Sequence, residues 1–422
     1  MSNATSGTAP RTASASAPQA GRYVWKNLFS HKGALIGGLL LAAVGTGAWF
    51  YQLTSGLLIT TDMSNAFPWG LAIAIFAFLV GFAAGGQLLF SYIVRSGRVD
   101  LKPYALLSIA LAFACGAGAG VAVTIDLGAV RNILNMMLAP NPSSPLTWDM
   151  MALTLFILVA LVELIAYVRS SHSTRAAKLV RPLALLGVLT AVVLQVVEGL
   201  IFALQGAHAW WHSFIMPLDF IAVAVVCGNA IVLLIGAIRA HGDEAKRPAL
   251  VQLGKMLAVA IIVHLALALL ELALLSGEGT VASAATLAAL ARVGGLYATE
   301  LLLPALAAVL LLGSRGKAKT GLLAACGAIT VIGLFAHRLM LLYPAYGANA
   351  LTVSLPDVAG TYAVPISTGR YSLTGSLFVN APTYLPAPVE WAAILLPVGL
   401  AILLVGLALG LGRVHVVAAE QV

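Results

Sequence analysis

Charge is what this sequence has least of. Asp, Glu, Lys and Arg make up 9% of its 422 residues, where a soluble domain carries about a quarter. A water-soluble globular fold is thereby excluded. Cysteine is almost as scarce. Cys115, Cys227 and Cys326 stand alone in apolar runs with no Cys-x-x-Cys pair. Such a chain cannot ligate an iron–sulfur cluster by itself, and the three thiols read as packing residues. Phosphate-binding glycine loops, serine-hydrolase elbows and zinc-ligand motifs are missing too. No basic stretch joined to a short apolar core opens the chain, and no Arg pair does, so neither type of export signal is read there. The apolar runs are continuous rather than alternating, which excludes a membrane β-barrel. The net charge of +8 does not imply nucleic acid, because the charges sit in short loops and not on one face.

Apolar sequence is what the chain has in excess, at 61%. Ten runs approach the roughly 20 residues a helix needs to cross a bilayer. They are Gly33–Gly56, Pro68–Val94, Leu106–Ile125, Trp148–Val168, Leu183–Leu204, Phe214–Ile238, Leu253–Leu275, Gly295–Leu312, Thr320–Tyr343 and Glu390–Leu411. The predicted fold class is an all-α polytopic membrane protein. Residues 1–22, rich in Ser, Ala, Thr and Pro up to residue 20, read as a disordered tail.

Lys and Arg orient the chain. Nineteen of the 23 fall on the side that holds both termini and the even-numbered loops. Only Arg131, Arg292 and Arg370 fall opposite, and Arg338 lies inside a run. The bias predicts both termini in the cytoplasm and the sparsely charged loops outside. Two outward loops carry more than a turn. Residues 126–146 start as a candidate surface helix and are turned back by Pro140, Pro142 and Pro145. Residues 344–389 form a long proline-rich connection that reads as a docking surface for a soluble partner.

The stretch from Ser55 to Gly86 carries the densest information. It leaves one apolar run, crosses a polar turn with Asp62, Ser64 and Asn65, and enters the next run at Pro68 and Trp69. Gly81 and Gly85 follow four apart, on one helical face, where another backbone can approach closely. A polar turn at the membrane surface beside a close-packed helix pair suits an amphipathic ring such as a quinone head. Quinol oxidation sheds two protons and two electrons, and a carboxylate within reach of the ring hydroxyl accepts a proton. Asp62 and Asp126 end adjacent outward turns and are the candidate catalytic acids. Asn65, Trp69 and Asn132 are the candidate quinone-binding residues. The bland alternatives are helix caps for Asp126 and Asn65 and the interfacial aromatic belt for Trp69.

Ionisable residues inside the runs cost at least about 2.5–3.5 kcal/mol each and are functional candidates by default. Glu198, Asp219, Glu271, Glu300, His337 and Arg338 fall in the outer halves of their runs, His264 near the middle, and Glu163 toward the cytoplasm. Together they read as a proton path; the competing reading is mutual neutralisation, with Arg338 pairing one acid. Counting 1.5 Å per residue places His264 and His337 roughly 16 Å and 25 Å from the inner surface. That offset of about 9 Å disfavours one haem bridging them. His208 and His212 straddle two tryptophans; the metal reading of that spacing gives way to a turn in the outer aromatic belt.

Three stretches carry a resemblance to a known family: GLLITTDMSNAFPWGLAIAIFAFLVGFAAGG, then DLGAVRNILNMML with SPLTWDMMALTLF, then YLPAPVEW. They resemble the polysulfide reductase NrfD-like membrane subunits, closest to the ten-helix branch found with hydrogenase and sulfite-reductase systems. The resemblance implies two four-helix bundles, helices two to five (57–204) and six to nine (205–343), flanked by a helix at each end (23–56 and 390–422). It further implies a haem-free subunit that exchanges menaquinone or ubiquinone near the outer surface. An iron–sulfur, ferredoxin-like subunit would bind there, often with a molybdopterin catalytic subunit beyond. The Arg-Pro that often follows DLG in the family is replaced here by Ala129 and Val130, with Arg131 next.

The sequence therefore predicts the quinone-reactive subunit of a respiratory oxidoreductase in a bacterial inner membrane. Its partners would be lipid and other subunits, with the terminal chemistry elsewhere. A secondary transporter is the alternative, argued against by the scarcity of helix breaks near the midplane. A passive anchor is the other, and it would not need Asp62 and Asp126 at the turn.

Overall fold

A computed structural model describes residues 31–64, 67–240, 243–348, 351–354, 361–364, 366–367, 378–379 and 384–420. The predicted tail at 1–22, the candidate Asn65 and much of the 344–389 connection lie outside the described residues.

Among the described residues, ten helices are long and apolar enough to span a membrane. They are α1 (Lys32–Ser55), α2 (Leu71–Ser96), α3 (Ala105–Asp126), α4 (Pro145–Arg169) and α5 (Thr174–Ala203). The chain continues through α6 (Met216–Arg239), α7 (Arg247–Gly277), α8 (Gly294–Gly313), α9 (Thr320–Met340) and α10 (Leu395–Glu420). Leu39, Leu40, Leu158, Val162, Leu189, Val259, Leu302 and Val309 point outward, each at least half exposed. A water-facing surface would not carry this many. The protein is a multi-pass integral membrane protein.

Two helices begin well before their apolar runs. α5 starts at Thr174 rather than Leu183, and α7 at Arg247 rather than Leu253. The extra turns carry Arg175, Lys178, Arg181 and Arg247; Arg181 donates to the carbonyls of Val94 and Arg95, and Arg247 to those of Lys317 and Ala318. Helices therefore extend past the hydrocarbon, and a run of apolar residues marks only their middle.

α2 is the central helix. From Leu71 to Gln87 every residue but Ile73 and Phe78 is buried. It packs on α3, α5, α6 and α9. α3 also packs on α4, and α4 on α5; α6 packs on α7 and α9, and α8 on both α7 and α9. α1 lies against α10, which in turn lies on α3.

The predicted close approach at Gly85 is present. A Cβ there would lie 1.9 Å from Ala224 O and 2.5 Å from Gly228 N of α6. The two backbones touch, so Gly85 and Gly228 are obligatory glycines. Gly81 faces Cys227 and the Arg338 guanidinium.

Short elements decorate the face that lacks basic loops, here called the acid face. Leu57–Thr60 and Ile133–Leu138 are single turns before α2 and α4. Val281–Arg292, opened by a Thr280–Ser283 capping box, precedes α8. In the 344–389 connection, β1 (Leu351–Ser354) pairs antiparallel with β2 (Thr361–Val364), and β3 (Ile366–Ser367) with β4 (Phe378–Val379). The helix Pro388–Ala393 then leads into α10.

Candidate functional site

Two polar sites emerge, both nearer the acid face. The first forms around the start of α2. A helix N-terminus leaves backbone N–H groups unpaired and carries partial positive charge. Gly70, the N-cap, has no side chain to satisfy them. Two distant acids do so. Gly70 N–H donates to Asp126 Oδ1 at 3.0 Å. Leu71 N–H donates to the Tyr384 hydroxyl at 2.6 Å and reaches Glu390 Oε1 at 3.4 Å.

Glu390 is the hub. Its Oε2 accepts from Asp62 N–H at 2.9 Å and Ala387 N–H at 2.8 Å, and its Oε1 accepts from the Tyr384 hydroxyl at 2.5 Å. Burial and the Glu390 charge push the Tyr384 phenol up, so it remains the donor. The Asp62 carboxylate accepts from Leu385 N–H at 2.8 Å. Asp62 and Asp126 thus meet through Glu390 and Gly70, and both hold backbone in place. Between Asp126 and Glu390 lies a cavity of about 10 Å³, bounded also by Gln52, Met63 and Ile125. That is room for one water.

Trp69 lies beside this seam rather than in it. Its ring packs 5.3 Å from both Phe202 and Trp211, and its backbone exchanges hydrogen bonds with the Tyr346 hydroxyl. Asn132 is exposed at the start of the Ile133–Leu138 turn and does not line the seam. His208 and His212 each place Nδ1 near a different carbonyl, Ala345 O and Ala203 O. Burial lowers the His208 pKa, which keeps that ring neutral. These are the contacts of a pinned aromatic turn.

The second site is a buried relay among α6, α7, α8 and α9. Glu300 Oε1 lies 2.8 Å from His337 Nδ1. His337 Nε2 lies 3.5 Å from Asp219 Oδ2, and Asp219 Oδ1 lies 2.7 Å from His264 Nδ1. Carboxylate and imidazole alternate along this line; Glu300 Oε2 and His264 Nε2 at its ends, and His337 Nε2 within it, have no hydrogen-bond partner among the described residues. The two rings are 5.0 Å apart, centroid to centroid. This corrects the expected depth offset of about 9 Å between His264 and His337. The count from Leu253 omitted the first turns of α7; measured from Arg247 and Thr320, both histidines stand seventeen residues into their helices. The ground for disfavouring a bridging haem falls with that offset.

Arg338 follows His337 on α9. It is fully buried, its Cζ sits 4.4 Å over the Phe220 ring, and none of its guanidinium nitrogens has a hydrogen-bond acceptor among the described residues. It acts electrostatically on both Asp219 and Glu198. Glu198 Oε2 accepts from Gln195 at 3.1 Å. Toward the basic face, Glu163 Oε2 accepts from Gln87 at 2.5 Å, against Gly187 of α5, where a Cβ would strike both side chains. Glu271 borders the relay without a direct bond to it; it lines the same small recess as Asp219, Glu300 and His337.

His264, Glu300 and His337 offer ligand atoms within 4.8 Å of one another, a spacing that accepts a divalent ion. Both Nδ1 atoms already face carboxylates, however, and Arg338 supplies positive charge nearby. The arrangement is an alternating line of carboxylates and imidazoles, hydrogen-bonded at Glu300–His337 and Asp219–His264 and in looser 3.5 Å contact at His337–Asp219.

Sequence reasoning missed Glu390 and Tyr384, though Glu390 is a lone acid opening an apolar run. It also missed Asp149, buried one turn into α4 with Oδ1 unpaired among the described residues. The amides Gln87 and Gln195 escaped because, inside the apolar runs, only ionisable residues stand out by their cost. Replacing Glu390 with alanine removes the acceptor of the Asp62 and Ala387 N–H groups and of the Tyr384 O–H. A loss of about 3–5 kcal/mol is expected, as for breaking other buried charged networks, with Tyr384→Phe costing about 1.5–3 kcal/mol. Thermal melting of the purified chain measures both, and equal melting of Glu390→Ala and the parent would refute the hub.

A family profile described as polysulphide reductase, NrfD, matches residues 60–349. That range holds every sequence-predicted site residue but ends before Tyr384 and Glu390. A Halobacterium salinarum protein named as a membrane component of a dimethyl sulfoxide reductase is 30% identical over 244 residues, 53% of this chain and 56% of its own. A selenate reductase component of Mesobacillus selenatarsenatis is 22% identical over 269 residues, 55% of this chain and 62% of its own. The Hdr-like menaquinol oxidoreductase integral membrane subunit of Archaeoglobus fulgidus is 23% identical over 199 residues, 46% of this chain and 48% of its own. The chain spans about half the length of the curated relatives it matches.

Proposed function

Because the chain belongs to the NrfD polysulphide reductase family, we propose that it is the quinone-interacting membrane subunit of a multi-subunit oxidoreductase. The observation that carries this reading is the meeting of Asp126 and Glu390 at the N-terminus of α2, on the acid face. Two carboxylates at a membrane surface can take the two protons a quinol sheds. The two electrons leave for a partner, since the isolated cysteines of this chain hold no cluster. An iron–sulfur subunit docked on the acid face, with a molybdopterin subunit beyond it, would complete the transfer. One relative's name specifies menaquinol, which favours that quinone over ubiquinone. The basic face, where α1 begins and α10 ends, is cytoplasmic in this reading.

The seam as it stands admits one water, so a ring enters by displacing a wall. Met63 is the side chain suited to that, being unbranched and adaptable. Asp62 and Trp69 then border the opening, with Asn65 on the same turn. Protons pass between the seam and the bulk, and the line Glu300, His337, Asp219 and His264, with Glu271, Glu198, Arg338 and Glu163 around it, offers a second route across the bilayer.

Lipid extraction of the purified chain tests the binding. One quinone per chain is expected, and Asp126→Asn in the intact complex should lower quinol turnover about 100-fold, the lower end of a lost general base. Absence of quinone together with unchanged Asp126→Asn turnover would overturn the proposal.

A further inference from the structure

A cleft of about 590 Å³ opens on the acid face among α5, α6 and α7, well within the size of small-molecule sites. Ala203, Trp210, Phe214, Pro217 and Leu274 form its walls, and Glu271 its floor. It is separate from the seam at α2, α3 and α10.

Three features define what it takes. Glu271 Oε1 is buried and has no partner among the described residues, so one acceptor awaits a donor. No Lys or Arg lines the cleft, and Glu278 stands with Glu271 on its lining, which repels a phosphate. Trp210 donates Nε1–H to Met340 O at 2.7 Å, so its ring is fixed as an aromatic wall. The mouth reaches lipid past Leu204 and Phe214, exposed by 61% and 76%. A neutral aromatic head with a hydroxyl and a long apolar tail matches all of these.

We propose that this cleft is a second binding site for the ring of a quinol, whose hydroxyl donates to Glu271 Oε1 while the tail leaves between α5 and α6. The proposal rests on the reading that the chain handles quinone. Glu271 also borders the recess of Asp219, Glu300 and His337. A ring bound here sits one side chain from the relay, and its presence controls whether Glu271 is open to water.

The test is photolabelling of the full chain in nanodiscs with an azido-quinone, with labelled peptides mapped by mass spectrometry. Label is expected on residues 205–217 as well as on 57–70. Leu204→Trp, at a lipid-facing position that tolerates bulk, should fill the mouth and reduce label on 205–217 roughly tenfold, leaving 57–70 unchanged. Glu271→Leu should do the same, a tenfold loss corresponding to about 1.4 kcal/mol. Undiminished label in Leu204→Trp overturns the cleft site. Label confined to 57–70 also overturns it while leaving the proposed function standing. Absence of label everywhere overturns both. A phospholipid that co-purifies with the parent and is lost in Leu204→Trp, with 205–217 unlabelled, assigns the cleft to lipid and overturns the quinol site.

Discussion

Gly85→Leu is expected to leave no folded chain to purify. The atoms a side chain would meet at this position are backbone, Ala224 O at 1.9 Å and Gly228 N at 2.5 Å. A neighbouring side chain could rotate away; a neighbouring backbone moves only with its helix. Ordinary overpacking costs about 1–3 kcal/mol, and a whole protein holds about 5–15 kcal/mol in reserve. One methyl here should already cost about 3 kcal/mol, and four carbons should exceed what the fold can supply. The damage would spread, because α2 is also the support for α3, α5 and α9, and Arg338 lies against its Gly81. Thermal melting and monodispersity in detergent measure the effect. Gly47→Leu is the control, because a Cβ there meets nothing within 4 Å. A Gly85→Leu chain that melts like Gly47→Leu would show that α2 and α6 do not touch.

Asp219→Asn is expected to cost proton movement about as much as Asp126→Asn costs quinol turnover. Asp219 is the carboxylate both imidazoles share, 2.7 Å from His264 and 3.5 Å from His337. An amide presents a donor where one ring now finds an acceptor, and it cannot take a proton. In the intact complex reconstituted in vesicles, proton movement linked to quinol oxidation should fall about 100-fold. Quinone content should change less than about twofold, a difference of roughly 0.4 kcal/mol. Asp219→Glu should recover part of the proton movement, which a purely structural role would not require. An unaltered proton yield per electron pair in Asp219→Asn would reduce the relay to a packing device.

The helices were legible in the sequence because each must be apolar over the thickness of the bilayer. Their ends were not. Basic residues inside the first turns of α5 and α7 look like loop, and the misplaced start of α7 shifted His264 away from His337. The Gly85 contact was legible as two glycines one turn apart, although its partner Gly228 was not. The partners of the acids are set by tertiary structure. Asp62 and Glu390 are 328 residues apart, and no local pattern announces that one holds the backbone of the other. The candidate acids at the seam were visible as residue types; that a fourth element, entering from the far end of the chain, joins them was not.

α1 and α10 press backbone to backbone at Gly38 and Gly399, where a Cβ on either would lie under 3 Å from the other helix. α1 therefore has its mate far along the chain. At about 5–20 residues per second, translation reaches α10 about half a minute after α1 has left the ribosome. For that interval α1 must persist without α10. It is built for the wait: Gln52 donates to Ile125 O of α3, Leu39, Leu40 and Val44 stay exposed even in the finished fold, and a narrow glycine ridge is held back for α10.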